Sequence, residues 1–399
     1  MSQIPMRPET TFLIDICARQ RGLEPALRVE RGPDFDWGFF LDAADRHKVT
    51  GLAYSAFSSG RSDPPPPSVL ARLKRAAAEK AAAKALLLSE WRALDAALAR
   101  EGFRALVIKG PALALQLFGD AFAREYRDID LLVESEAREA VSRVFEGLGY
   151  AAKDVTTAAS SRQSDYLQKR SRHVAYVKRG SPAFFEVHFS KEGGIGLAPI
   201  PTSAAFARAE ALSGPGLRIM SLGKSDHVLL ALLHGAEHAW CQLQWVLDAM
   251  AAIGDLPDAA EVPDWDGIDA SLAIDSFALM ARSLFAEGSI GPRLSEAIPG
   301  RRAIALSRFA LTSLASAGAR LVAFSSDMFR YRLAYLSGLR RGTRAKARFL
   351  IDLVLPSETD ASALGGRNIP LGLLFLLRPL LAARRILQGQ GAAHSGDLP

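Results

Sequence analysis

The heptapeptide Arg127-Asp128-Ile129-Asp130-Leu131-Leu132-Val133 constrains this chain more than any other segment. Its apolar half reads as a strand, and strand geometry places alternate residues on one face. Asp128 and Asp130 then stand side by side, about 6.5–7 Å apart along the chain. Like charges at that distance repel, and apolar burial helps neither. A divalent cation between them resolves the conflict. Oxygen-only ligands suit Mg²⁺, which is held by one or two carboxylates together with substrate phosphates. The plainer alternative is an edge strand whose acids face water, since Asp is depleted within strands but common at their starts.

The surroundings are those of a small α/β unit over residues 102–192. Phe103 to Ile108 reads as a strand ending at Lys109-Gly110, and Pro111 suits the first turn of a short helix to Phe118. Glycine lets a phosphate approach the backbone, and helix N-terminal amides attract anions. Ile129 to Val133 forms the next strand. Ser135 opens a helix over Glu136 to Leu148, ended by Gly149. His173 to Lys178 and Phe184 to Phe189 read as two further strands. Glu186 lies inside an otherwise apolar strand and therefore needs a partner. Beside the Asp strand it would complete a three-carboxylate cluster for two metal ions. That expectation fails if Glu186 faces away from the two aspartates, or if a lysine bridges all three.

Both flanks read as helical. Residues 1–58 carry apolar side chains at three- and four-residue steps, and Pro64 to Pro67 make a stiff break. Ser68 then caps a long helix over Val69 to Arg100. Beyond Pro201 the chain reads as helix again: Ser225 to Ile253 in one piece, then Ile274 to Phe285, Ala303 to Phe324, Arg330 to Leu339 and Arg344 to Leu353. The expected organisation is a helical region at 1–101, an α/β core at 102–200, a helical domain at 201–388 and a tail at 389–399.

Composition narrows the class. The 399 residues allow two or three domains, and 49% hydrophobic content supplies a core. No run of about 18 uncharged apolar residues is present, so no membrane span is expected. The nearest, Leu371 to Leu377, is cut by Arg378 and Pro379. Cys17 and Cys241 make no disulfide framework and read as free thiols in a reducing cytoplasm. A net charge of +6 permits an anionic ligand without requiring one.

Lys109-Gly110, Arg124, Asp128 to Val133, His173, Glu186-x-His188 and the later series His234-Gly235, His238, Trp240, Leu243, Trp245, Asp248 follow one another in this order. In these motifs the chain resembles the nucleotidyltransferase superfamily related to DNA polymerase beta. The likeness is to a bacterial branch akin to the aminoglycoside and lincosamide nucleotidyltransferases. It extends over most of residues 10–380 and is strongest at 103–135 and 184–250. Two departures stand out. Pro111 occupies the place of the usual serine after the glycine, and the stretch from Gly110 to Asp128 is longer than in the minimal motif.

The resemblance implies an α+β fold, with a polymerase-beta-like α/β core and mixed sheet between N- and C-terminal helical regions. It implies transfer of a nucleoside monophosphate from a nucleoside triphosphate, ATP by expectation, to an acceptor, with release of pyrophosphate. Mg²⁺ or Mn²⁺ would be held by Asp128, Asp130 and Glu186. Lys109, Gly110 and Arg124 would face the phosphates, although Arg124 also suits a structural salt bridge to Glu125 or the aspartates. His173, His188, His234, His238, Trp245 and Asp248 would line the acceptor cleft, with His188 touching phosphate or acceptor or supporting Glu186. The acceptor could be a small molecule, a peptide or protein side chain, or RNA.

Three other readings compete. His234-Gly235-Ala236-Glu237-His238 matches H-x-x-E-H, which on one helix could bind zinc with Glu237 as base. His234, His238, Cys241, Trp245 and Asp248 recur at four and three, so one unbroken helix would carry them all on one face, packed in the core or closing the cleft. Arg330, Arg332, Arg340, Arg341, Arg344, Lys346 and Arg348, with no acid among residues 330–348, make either a surface for nucleic acid or an acidic protein, as in a non-catalytic binding module, or a solvated face. Tyr331 and Tyr335 in that stretch read as packing residues.

Overall fold

The computed structural model describes residues 5–153, 173–189, 202–254, 270–295, 300–316, 326–338, 340, 342–356, 360 and 370–388. Helices α1 (Pro8–Gln20), α2 (Trp37–Arg46) and α3 (Thr50–Ser58) pack beside the 34-residue α4 (Pro67–Arg100). Ser68 does not cap α4: Pro67 occupies its first turn, where its missing N–H is no loss. Strand β1 (Leu106–Val107) leads to α5 (Pro111–Phe118), then β2 (Ile129–Val133), α6 (Arg138–Gly147) and β3 (Tyr150–Ala152). Strands β4 (His173–Lys178) and β5 (Phe184–Phe189) follow, with α7 (Thr202–Ala207) and the hairpin β6 (Glu210–Gly214)–β7 (Leu217–Ser221). Among the described residues beyond β7 the longer elements are helices: α8 (Lys224–Glu237), α9 (Leu243–Gly254), α10 (Ser271–Leu284), α11 (Pro292–Ser295), α12 (Arg301–Ser316), α13 (Ser326–Gly338), α14 (Gly342–Val354) and α15 (Leu371–Gln388). The tail after Gln388 lies outside the described residues.

The seven strands form one mixed sheet, ordered β3-β4-β5-β2-β1-β7-β6. Flanked by helices, it is an α+β fold. Two sequence expectations need correction. The strand expected over Phe103 to Ile108 is paired only at Leu106–Val107. The stretch beyond Pro201, read as helical, contributes β6 and β7, which extend the sheet through a parallel pairing of β7 with β1. Their burial alternates along β7, but Arg218 and Met220 on a short strand look no different from a helix fragment in sequence.

Each sheet face closes its own core. Ile129, Leu131, Val133, Phe185, Val187 and Phe189 point to the side covered by Trp91, Leu94 and Leu98 of α4 and by Val141 and Phe145 of α6. Leu106, Ile108 and Leu132 point to the other side, toward α1–α3 and the α8–α10 layer. Asp130 alternates with Ile129 and Leu131, so it shares this second face. The site therefore opens toward the C-terminal helices.

The joint between α8 and α9 is the third correction. The segment expected as one helix over Ser225 to Ile253 breaks after Glu237. Ala239 and Trp240 take φ values of 53°, the Trp240 N–H returns to the Gly235 carbonyl at 2.8 Å, and the Ala239 N–H to Ala236 at 3.1 Å. This pairing closes a helix end. The Trp240 ring folds back over α8, where a Cβ on Gly235 would stand 2.2 Å from it. Burying that ring against Phe277, with centroids 4.5 Å apart, offsets two left-handed non-glycine residues.

His47 ties the start of α9 to the N-terminal helices. It is 1% exposed, its Nδ1 accepts the Leu243 N–H at 3.1 Å, and its carbonyl accepts the Gln244 N–H at 3.2 Å. Burial holds its imidazole down at about 3, and that of His227 at about 4, so both fold neutral. An unfolded histidine takes a proton near 6.5, so the unfolded state binds more protons below that value. Stability is therefore expected to fall as pH drops from about 6.5 toward 4, at up to about 1.4 kcal/mol per unit for each histidine. Urea midpoints measured across this window check it. His47→Asn should flatten the slope, and an unchanged slope would remove His47 from the account.

Candidate functional site

Strand register builds the centre of the site. β2 and β5 run parallel with Asp130 opposite Glu186 and Leu132 opposite His188. Paired residues share a face, so Asp130, Glu186 and His188 rise together from the side away from Phe185 and Val187. His188 Nε2 lies 2.9 Å from Asp130 Oδ1 and 3.9 Å from Glu186 Oε2. One ligand atom from each of the three lies within 4.8 Å of the others. Lys109 Nζ donates to the same Asp130 oxygen at 3.0 Å. It pairs with Asp130 alone among the carboxylates, so it does not bridge the trio. Asp128 stands just before β2, partly exposed, close enough to raise the affinity of Lys109 for its proton.

The electrostatics are those of crowded negative charge. Burial, then the charges of Asp130 and Glu186, push the Asp128 carboxyl up. Burial alone would do the same to Asp130, but Lys109 and the hydrogen bond from His188 hold it well below the usual carboxylate range. Lys109 is disfavoured by burial, yet the three acids keep it firmly charged. A donor set of two or three carboxylate oxygens and one imidazole, with a lysine as the nearby cation, fits a divalent metal ion.

The turn beside this cluster is Gly110, with φ 57° and ψ −119°. A Cβ there would stand 3.0 Å from the Asp128 carbonyl, so only glycine serves. The loop from Asp120 to Arg127 is clamped around it. Lys84 of α4 donates to the Phe122 and Arg124 carbonyls at 2.6 and 3.0 Å, and Arg21 reaches the Ala123 carbonyl. Gln244 accepts the Glu125 N–H at 2.7 Å and donates to its carbonyl at 2.8 Å. Arg124 is ion-paired, though to neither partner expected. Its Nε and Nη2 donate to one oxygen of Asp248 at 3.1 and 2.9 Å, both side chains are under 10% exposed, and Nη1 reaches the Gly110 carbonyl at 3.4 Å. Glu125 instead receives Lys80 of α4.

His234, His238 and Trp245 form a ring cluster, with His234–His238 centroids 4.8 Å apart and each histidine 5.1 Å from Trp245. Burial and the charge of Lys109 push the His234 imidazole well down, while Asp130 opposes them. Of the site's carboxylates, Asp130 is the one whose charge bears on His234. Although the expected single helix is broken, the turn brings these rings together. Cys241 lies in the turn and Asp248 faces Arg124. His173 occupies the register position opposite His188 on β4.

The competing readings lose ground. Among the described residues, the only group of three potential ligands within reach of one ion is Asp130, Glu186 and His188. Among the described residues no third ligand joins His234 and His238, and Glu237 is buried where its charge bears on Tyr335. In the basic segment, Arg340 is buried over the Phe349 ring at 4.8 Å, and Tyr331 and Tyr335 lie in the core. Arg344 and Lys346 are exposed, and the side chains of Arg332, Arg341 and Arg348 lie outside the described residues. Among the described residues no helix is long and apolar enough to cross a membrane.

Sequence reasoning did not find Lys84, Gln244 or His47 as supports of the site. Lys84 sits in an Ala-Lys-Glu run that resembles a solvated helix face, and nothing local marks it as 6% exposed. Asp248 paired with Arg124 was equally hidden, because 124 residues separate them.

The family comparison agrees with the class this geometry suggests. A family model described as uncharacterised nucleotidyltransferase matches residues 33–281, and the chain belongs to that family. Its general reaction is therefore nucleotidyl transfer, which makes it a transferase. No curated protein and no solved structure matches the chain.

Proposed function

We propose that the chain moves a nucleoside monophosphate from a nucleoside triphosphate to an acceptor oxygen or similar group at the Asp128/Asp130/Glu186 cluster. The observation that carries the reading is the in-register placement of Asp130 and Glu186 on adjacent parallel strands, beside Lys109 and the Gly110 turn. The acceptor attacks the α-phosphorus, the bond to the β-phosphate oxygen breaks, and pyrophosphate leaves. Asp128, Asp130 and Glu186 would hold Mg²⁺ or Mn²⁺, which when bound supplies neutralising charge and polarises the attacking and leaving oxygens.

The chain's own groups do the rest. Lys109 presents a permanent charge to the triphosphate, in the place where a serine hydroxyl is missing because Pro111 follows Gly110. Gly110 clears space for a phosphate oxygen to approach the backbone. Arg124, held by Asp248 and touching the Gly110 carbonyl, serves the nucleotide by keeping that turn in place. Glu186 would either ligate the ion that activates the acceptor or take the acceptor's proton. The neutral His234 ring, with His238 and Trp245, forms an acceptor wall of flat surfaces, with His188 at its strand side; the side chain of His173, also proposed for the cleft, lies outside the described residues. ATP is the expected donor, and the acceptor is a small molecule, a peptide or protein side chain, or RNA. Two free cysteines, Cys17 and Cys241, suit a cytoplasmic setting.

The test uses nucleoside triphosphates labelled at the α-phosphate, cell extract as the source of acceptors, and Mg²⁺ or Mn²⁺. Label should pass to an acceptor with the wild-type chain and not with the Asp128→Asn/Asp130→Asn double variant. Equal transfer by both ends the reading.

A further inference from the structure

We propose that His188 is itself a ligand of the ion held by Asp130 and Glu186, and that its imidazole selects a first-row transition-metal dication such as Mn²⁺ over Mg²⁺. This rests on the nucleotidyl-transfer reading and narrows it to a metal class.

The geometry is the first support. Around an ion with bonds of about 2.1 Å, neighbouring ligand atoms stand about 3 Å apart and opposed ones about 4.2 Å. The His188 nitrogen stands 2.9 Å from Asp130 Oδ1 and 3.9 Å from Glu186 Oε2, spacings of that kind. Strand pairing is the second. Glu186 and His188 are two apart on β5, and both are in register with β2, so the imidazole is held to this face by the sheet. A slip of one residue would send both into the core under Trp91.

The chemistry of the donors decides the ion. Carboxylate and water oxygens suit Mg²⁺, Ca²⁺ and Mn²⁺, whereas imidazole suits later divalent metals. Mn²⁺ accepts both donor types. Ligation through Nε2 leaves the imidazole proton on Nδ1 and gives up the hydrogen bond to Asp130. If His188 only donates to Asp130, the ion rests on oxygens alone and the preference for Mn²⁺ disappears.

The full-length chain, titrated with Mn²⁺ and followed by electron paramagnetic resonance with Mg²⁺ as competitor, distinguishes these cases. Electron spin-echo modulation from ¹⁴N reports a nitrogen bound to Mn²⁺. Wild type should bind Mn²⁺ at least about tenfold more tightly than Mg²⁺ and show the nitrogen modulation. His188→Gln should lose both, with Mg²⁺ affinity within about threefold of wild type. Mn²⁺ bound by wild type but not by Asp130→Asn, with no nitrogen modulation, overturns the inference and leaves the nucleotidyl-transfer reading standing. Modulation that persists in His188→Gln assigns the nitrogen to another histidine and also overturns it. Mn²⁺ binding equal in wild type and Asp130→Asn removes the site itself. Should His188→Gln fail to fold, the wild-type modulation and the Asp130→Asn comparison still decide.

Discussion

Replacing Asp248 with alanine is expected to cost about 3–5 kcal/mol of stability, because it strands a buried guanidinium. Arg124 and Asp248 are 9% and 3% exposed, and two hydrogen bonds converge on one carboxylate oxygen. Burial raises the Asp248 carboxyl, and Arg124 offsets that pressure. Arg124→Ala should cost a similar amount by stranding the acid. The pair replaced together by Arg124→Met and Asp248→Leu should recover much of the loss, since a buried ion pair is worth little more than a well-packed apolar one. Chemical denaturation of wild type, Arg124→Met, Asp248→Leu and the double variant forms a double-mutant cycle that reads the coupling. The single variants should lower Tm by on the order of 5–10 °C. A loss under about 1 kcal/mol in either single variant would mean the pair is hydrated and does not anchor α9 to the Gly110 turn. The double variant carries a second expectation: stability restored with transfer still weakened, because Arg124 no longer steadies the Gly110 carbonyl.

Asp130→Asn is expected to lower kcat for nucleotidyl transfer by about 10³-fold or more while the chain stays folded. Asp130 is the hub of the cluster: Lys109 and His188 both meet its Oδ1, and Glu186 stands opposite in register. Asparagine keeps its volume but removes the charge that would bind a divalent ion. Lys109 keeps Glu186 and Asp128 for company, so the fold loses little. Thermal shift provides the second readout. Metal with nucleoside triphosphate should raise the Tm of wild type and not of the variant, because only a ligand that binds the folded state stabilises it. More than a tenth of wild-type turnover in Asp130→Asn would take the carboxylate cluster out of the chemistry.

Local pattern was enough for much of the α/β unit. α5, β2, β4 and β5 lie where proline placement, apolar runs and flanking turns put them. It failed where local signal is weak or two-sided. β6 and β7 are short, and the strand that joins their hairpin to the sheet, β1, lies more than 100 residues before β7. The α8–α9 break has no proline and no glycine at its left-handed positions, Ala239 and Trp240. Trp240 makes the break by burying its ring over Gly235, an energy that exists only once α10 supplies Phe277.

Sequence alone marked the candidate groups for chemistry: Asp128 and Asp130 at strand spacing, Lys109 before Gly110, and Glu186 two residues from His188. Periodicity and side-chain type are local properties, so these were legible without a partner in view. Only the tertiary structure decided which groups meet. Parallel pairing set Asp130 against Glu186 and brought His188 to the same ion-sized gap, and the folded loop gave Arg124 to Asp248. Contacts between residues 58 and 124 positions apart depend on chain closure and register, which no short stretch of sequence encodes.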